Sequence, residues 1–168
     1  MTTTLYAQPY DITASGFYFE TAEKFTNLSS SLRNDCGDPV EEFEIQFIDG
    51  ESIDCELAKA IGINQANITQ FFDCVEKWDE DEKRIVIIAL GDCGYPFDPE
   101  MLPADYDIDI YSVESLNQLA EQFVEEGLFG DIPKALENYI DYDAIVRDLG
   151  FDYVETEIAG QRLVYRQS

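Results

Sequence analysis

Asp105-Tyr106-Asp107-Ile108-Asp109-Ile110-Tyr111 alternates carboxylates with aromatic and aliphatic side chains over seven residues. Successive side chains of a strand leave on opposite faces, so a period of two predicts a strand with an apolar inner face and an acidic outer face. The period then changes. Across 115–126, Leu116, Leu119, Ala120 and Phe123 recur three and four apart, which is the stripe of an amphipathic helix, and Gly127 stops it. Pro133 opens a short helix to Tyr139, and Asp141 caps another that ends at Leu149-Gly150. Residues 153–158 and 162–165, hinged on Ala159-Gly160, read as a hairpin. Asp-x-Asp-x-Asp also opens calcium loops, but the sixth position here is Ile110 instead of Gly and the twelfth is Leu116 instead of Glu. The stretch 105–168 is therefore expected to be a small α+β domain.

Working back toward the N-terminus, residues 5–10 and 16–19 are short aromatic-rich strands joined by a turn at 11–15. Residues 21–32 carry Phe25, Leu28 and Leu32 at helical spacing behind a Thr21 cap, and Cys36-Gly37-Asp38-Pro39 breaks the pattern. Phe43, Ile45 and Phe47 alternate with Glu42, Glu44 and Gln46, a half-exposed strand. Residues 54–61 and 65–78 are expected to be helical. In 80–90 the run Ile85-Val86-Ile87-Ile88 favours a strand by composition while its flanks allow a helix, and helix is the reading adopted. Residues 91–103, with two Gly and three Pro, form a linker or long loop. The expected fold class is α+β, in three small domains: 1–52 (α+β), 53–104 (mainly helical, with linker) and 105–168 (α+β).

Charge narrows the function. Lys plus Arg number 10 and Asp plus Glu 36, so the net charge is 10 − 36 = −26. Hydrophobic content of 45% and 13% aromatics exclude an acidic disordered tail. Solubility alone asks for a net charge of about 2–8. The acids run from Asp11 to Glu157 without a tail block, so they coat the folded surface. Such a coat repels nucleic acid and anionic membranes. Met1-Thr2-Thr3-Thr4-Leu5-Tyr6 has neither the basic nor the apolar region of a signal peptide, and the longest apolar run, 85–90, is too short to span a membrane. A cytoplasmic location is expected.

Chemistry is poorly provided for. There is no His, which removes the commonest general base and metal ligand. Neither a phosphate loop nor a dinucleotide fingerprint is present, and Gly91-Asp92-Cys93-Gly94 reads as a turn. Cys36, Cys55, Cys74 and Cys93 are spaced by 19 residues, each after an Asp, but the intervals do not align. The spacing does not suit zinc, and reduced structural thiols are expected. Paired carboxylates suffice for glycoside hydrolysis, but among so many acids no pair stands out. No enzymatic activity, cofactor or metal is expected.

Residues 56–68 resemble a helix-turn-helix, with small Ala58, Gly62 four later at the turn and Ile68 six beyond, and with Leu57, Ile61 and Phe71 between the helices. The helix that would read DNA, 65–72, has no Lys or Arg, whereas phosphate contacts supply most of a DNA binder's affinity. A DNA-binding regulator remains an alternative, as does an acidic protein-interaction module.

Gly127-Leu128-Phe129-Gly130-Asp131-Ile132-Pro133, then Leu136-Glu137-Asn138-Tyr139-Ile140-Asp141-Tyr142-Asp143-Ala144, then Arg147-Asp148-Leu149, resembles the C-terminal motif of the ArdA family of antirestriction proteins. Phe17-Tyr18-Phe19 is similar to that family's opening, although Tyr10-Asp11-Ile12 stands where its Tyr-Asn-x-Gly loop would be. The resemblance implies an elongated line of three small domains, extended by homodimerisation, that imitates bent B-form DNA. It further implies occupation of the DNA-binding groove of type I restriction-modification enzymes, protecting mobile genetic elements, with no nucleic acid bound. The phosphate surrogates would be Glu41, Glu42 and Glu44 in the first domain, and Asp73, Glu76, Asp79, Glu80, Asp81 and Glu82 in the second. In the third they would be Asp105, Asp107, Asp109, Glu121, Glu125, Asp152, Glu155 and Glu157. Gly127, Leu128, Pro133, Tyr139, Asp141, Tyr142, Arg147, Asp148 and Leu149 would serve structure or the dimer contact. By spacing, Leu128, Ile132, Leu136, Tyr139, Ile140, Tyr142, Ile145 and Leu149 are expected to be mostly core. Duplex DNA carries one charge per ~1.7 Å, so 26 charges correspond to roughly 44 Å, or about 13 base pairs, per protomer.

Overall fold

Leu5, Ala7 and Pro9 are buried and alternate with half-buried Thr4, Tyr6 and Gln8, which makes Thr4–Pro9 the first strand, β1, of the computed structural model, which describes residues 1–168. β1 lies between β2 (Phe17–Phe19) and β3 (Phe43–Asp49), antiparallel to both. Helix α1 (Ala22–Ser31) starts where the Thr21 hydroxyl accepts the Lys24 amide at 3.1 Å. Its Phe25 meets Phe17, Phe19 and Phe43 with ring centroids 5.8, 5.1 and 5.7 Å away. Tilted and edge-on rings at these separations suit the aromatic quadrupole and close one face of the sheet.

Three further helices follow: α2 (Ser52–Ile61), α3 (Ile68–Lys77) and α4 (Glu80–Ile87). They bury Ile53, Leu57, Ala58, Ile61, Phe71 and Val86, and Phe72 of α3 lies edge-on to Phe19 of the sheet at 6.2 Å. The ambiguous run 80–90 is helical, continuing into a π-helical turn at Ile88–Asp92. Val86 to Leu90 are all buried, so the segment is apolar all round, and composition alone could not distinguish it from a strand.

The second helix of the helix-turn-helix begins at Ile68, three residues later than expected. Asn64 Oδ1 accepts the amides of Ala66 (2.8 Å) and Asn67 (3.1 Å), a local turn that competes with helix. Gln65 is drawn to β3 instead, donating to the Glu41 carbonyl at 3.0 Å and accepting the Phe43 amide at 2.7 Å. Gly62 closes α2 in the left-handed region, φ +69°.

The chain divides into two compact units, Met1–Pro103 and Ala104–Ser168. Residues 1–52 and 53–103 both lie in the first. In the second, β4 (Ile108–Tyr111), β5 (Tyr153–Ile158) and β6 (Gln161–Gln167) form an antiparallel sheet in the order β4-β6-β5. β4 is shorter than the alternation suggested, because β6 ends opposite Ile108 and residues 103–105 form a 3-10 turn. Leu119 and Phe123 of α5 (Leu116–Glu125) pack on Val164, with Tyr111, Val113, Leu116, Leu149 and Tyr153 around them. Helix α6 (Tyr142–Leu149) is capped by Asp141, whose Oδ1 accepts the Ala144 amide at 3.0 Å.

The expected core role of the 127–149 motif is not what the structure has: no residue in that stretch is buried. Leu128 is 64% exposed, Leu136 53% and Tyr139 81%; Ile132, Ile140, Tyr142, Ile145 and Leu149 are half-buried. Lys134–Tyr139 is a 3-10 helix, which puts Leu136 and Tyr139, three apart, on one face, and that face is open to solvent. The fold is α+β, and none of its helices is long and apolar enough to cross a membrane.

Candidate functional site

The acids singled out from the sequence are exposed with one exception, half-buried Glu82, but they are not equally free. Glu41 and Glu42 lead into β3, held by backbone bonds from the Gln65 side chain and the Tyr10 amide (3.1 Å), so their side chains project from a fixed segment. Glu44 stands on the outer face of β3, opposite Gln8. On α3, Asp73 and Glu76 are one turn apart on the exposed side, and Lys77 approaches Asp73 at 3.8 Å.

The densest run sits at the head of α4, where the helix dipole and free amides favour anions. Asp79 Oδ1 accepts the Glu82 amide at 2.8 Å, and Glu82 Oε2 accepts the Asp79 amide at 3.0 Å, a reciprocal capping box. Glu80 and Asp81 both grip Arg84, at 2.8 and 2.7 Å. Beneath them Lys83 reaches back to Asp54 Oδ1 at 2.7 Å, with side chains only 10% and 3% exposed. That contact is ionic, since no hydrogen bond of good geometry reaches this oxygen.

In the second unit, β6 sets basic residues against acids. Asp109 of β4 lies opposite Arg166, and Glu157 of β5 opposite Arg162. Directly opposed side chains are close enough to attract. Arg166 also lies over the Tyr153 ring, 5.6 Å from its centroid. Burial and the neighbouring Tyr153 push the Tyr111 phenol above its ordinary value. Glu155 has a structural duty: it accepts the Leu116 amide at 2.8 Å, at the start of α5. Glu121 and Glu125 are one turn apart on the exposed side of α5, while Asp105, Asp107 and Asp152 are exposed near strand ends. Gly127, Leu128, Pro133, Tyr139, Asp141, Arg147 and Asp148 are exposed, and Tyr142 and Leu149 half-buried.

Two features carried no role in the sequence reading. One is the buried Asp54–Lys83 pair, for which a lone Asp and Lys 29 positions apart (83 − 54) give no local signal. The other is the Tyr6–Tyr18 pair on the outer face of the N-terminal sheet, with ring centroids 4.8 Å apart. Burial, then the Asp73 charge, pushes the Cys74 thiol up to about 11. In the β1–β2 turn, hydrogen bonds from the Asn34 side chain (2.9 Å) and from the Thr13 hydroxyl (2.7 Å) and amide (2.9 Å) hold Asp11 below the ordinary carboxylate value. No group of three or more Cys, Asp or Glu is arranged to hold a metal ion. What the surface offers is fixed negative charge, carried on elements of both units.

Among curated proteins none matches the chain. Residues 15–160 match the family model of the antirestriction protein ArdA, from just before β2 to the turn of the β5–β6 hairpin. A match running through both units, over most of the sequence, makes this chain a member of the ArdA family of antirestriction proteins.

Proposed function

We propose that this chain inhibits type I restriction-modification enzymes by lying in their DNA-binding groove as a mimic of bent B-form DNA. The observation that carries the reading is the placement of exposed carboxylates on strands, helix faces and helix ends of both units, at a net charge of −26. A groove built to hold phosphates is lined by cations, and an acidic folded surface competes for it without chemistry on the target. The chain acts as a binding inhibitor, in the cytoplasm. Exposed Leu128, Phe129, Leu136 and Tyr139 suit a second copy of the chain, since a monomer gains nothing by leaving such a group of side chains in water.

The test is DNA cleavage by a type I enzyme in the presence of the chain and of amide variants made in groups: Glu41, Glu42 and Glu44; Asp73 and Glu76; Glu121 and Glu125. Graded loss of inhibition, and weakening by salt, are expected. Inhibition untouched by all three groups together would overturn the mimic, and direct binding of duplex DNA in a gel shift would favour a DNA-binding regulator.

A further inference from the structure

The N-terminal sheet has two faces with different fates. Phe25 of α1 and Phe72 of α3 close the inner one. The outer one is open: Tyr18 is 58% exposed and Ile48 48%, with Glu44 and Gln46 exposed beside them. Tyr6 and Tyr18 face each other in register, their rings tilted at 54°. Tyr6 is also held from below. A methyl group on Gly16 would collide with the Tyr6 hydroxyl and ring, so the ring lies directly across that glycine. Gly16 thus fixes the position of Tyr6, and Tyr18 packs against it.

Its charge setting is one-sided. No Lys or Arg occurs in β1, β2 or β3, while Glu44 sits on the same face and Glu41, Glu42 and Asp49 flank it. By register Tyr6 opposes Gln46, so Glu44, two residues along, is its diagonal neighbour at ~7 Å, within reach of a long side chain. Aromatic planes edged by carboxylate suit a guanidinium better than an ammonium. Arginine is flat and weakly hydrated, so it stacks on a ring while its fork donates to a carboxylate; lysine is a compact, strongly hydrated charge.

We propose that this open sheet face is an arginine-reading surface, on which a guanidinium from a basic protein groove stacks on the Tyr6–Tyr18 pair and donates to Glu44. The assignment rests on the DNA-mimic reading for the identity of the groove and sharpens it. Carboxylates alone favour Arg only through its bidentate fork, whereas this face adds ring stacking and so prefers more strongly a target whose groove is lined by arginine.

The full chain is titrated with two peptides of equal length and charge, one with only Arg as its cations and one with only Lys, following the ring resonances of Tyr6 and Tyr18. The Arg peptide is expected to bind about two- to fivefold more tightly, the scale of an exposed cation–π contact. Tyr18→Phe keeps that preference and Tyr18→Leu abolishes it, with net charge unchanged in both. Because Tyr18 is exposed, folding of the variants is checked by their unfolding midpoint. Equal binding of the two peptides by the wild type, or a preference that survives in Tyr18→Leu, overturns the proposal. The two readings fail separately. Inhibition of a type I enzyme without arginine preference removes this surface and leaves the mimic; arginine preference without inhibition does the reverse.

Discussion

Each unit closes a three-stranded antiparallel sheet with helices, but they dispose of their apolar side chains differently. Met1–Pro103 turns Phe19, Phe43, Leu57, Phe71 and Val86 inward and seals an ion pair among its helices. Ala104–Ser168 builds a smaller cluster around Leu119, Phe123 and Val164, then leaves 127–149 without a buried residue. The first unit closes an aromatic core on one face of its sheet and leaves Tyr18 and Ile48 open on the other. The second keeps Leu128, Phe129, Leu136 and Tyr139 exposed within one stretch, a reserve that the dimer proposed above would cover.

That contrast breaks most readily at Lys83. Lys83→Met leaves Asp54 charged and buried, and a loss of about 3–5 kcal/mol in urea unfolding is expected. The double variant Asp54→Leu, Lys83→Met should recover most of it; if it is as unstable as the single variant, the pair is not what secures the helices. Gly16→Ala comes next. Its methyl must displace both the Tyr6 ring and the Ala7 backbone carbonyl, an overpacking cost of about 1–3 kcal/mol that unfolding also measures. The reserve surface should behave oppositely. Leu128→Ser with Tyr139→Ser should change the stability of the unfolding unit by no more than about 0.5 kcal/mol per site while shifting sedimentation toward monomer. A large stability loss there would mean the motif is core after all.

The smallest effect is a matter of pH. Asp11 is depressed below 3.8, so its contribution is present above the unfolded value and lost as pH falls through the lower, folded one. As pH falls through the folded value the Asn34 side-chain amide should lose its protection in wild type, and it should already lack it at neutral pH in Asp11→Ala. An Asn34 signal indifferent to both would sever this link between the β1–β2 turn and the 33–39 loop.

Much of the architecture was legible because its signals are local. The Thr21 and Asp141 caps, the Gly62 turn and the alternation over Phe43 to Phe47 each depend on residues a few positions apart. What escaped depends on partners far along the chain. Gln65 leaves its helix for Glu41 and Phe43, and Glu155 serves the head of α5 from 39 residues away. The exposure of 127–149 was hidden for another reason: an apolar stripe left in solvent has the same composition as a core stripe. The acids were found as a class, but nothing in their spacing told Glu44, open on its sheet, from Glu82, folded into a cap.

At the head of α4 the same oxygen atoms hold the charge and latch the helix. Amides at 79 and 82 would keep the latch, because Asn caps about as well as Asp and Gln can take the place of Glu in the box. Alanines would lose both. This single turn is therefore a point at which the protein's field could drift over generations while its backbone stayed put, provided the drift passed through Asn and Gln.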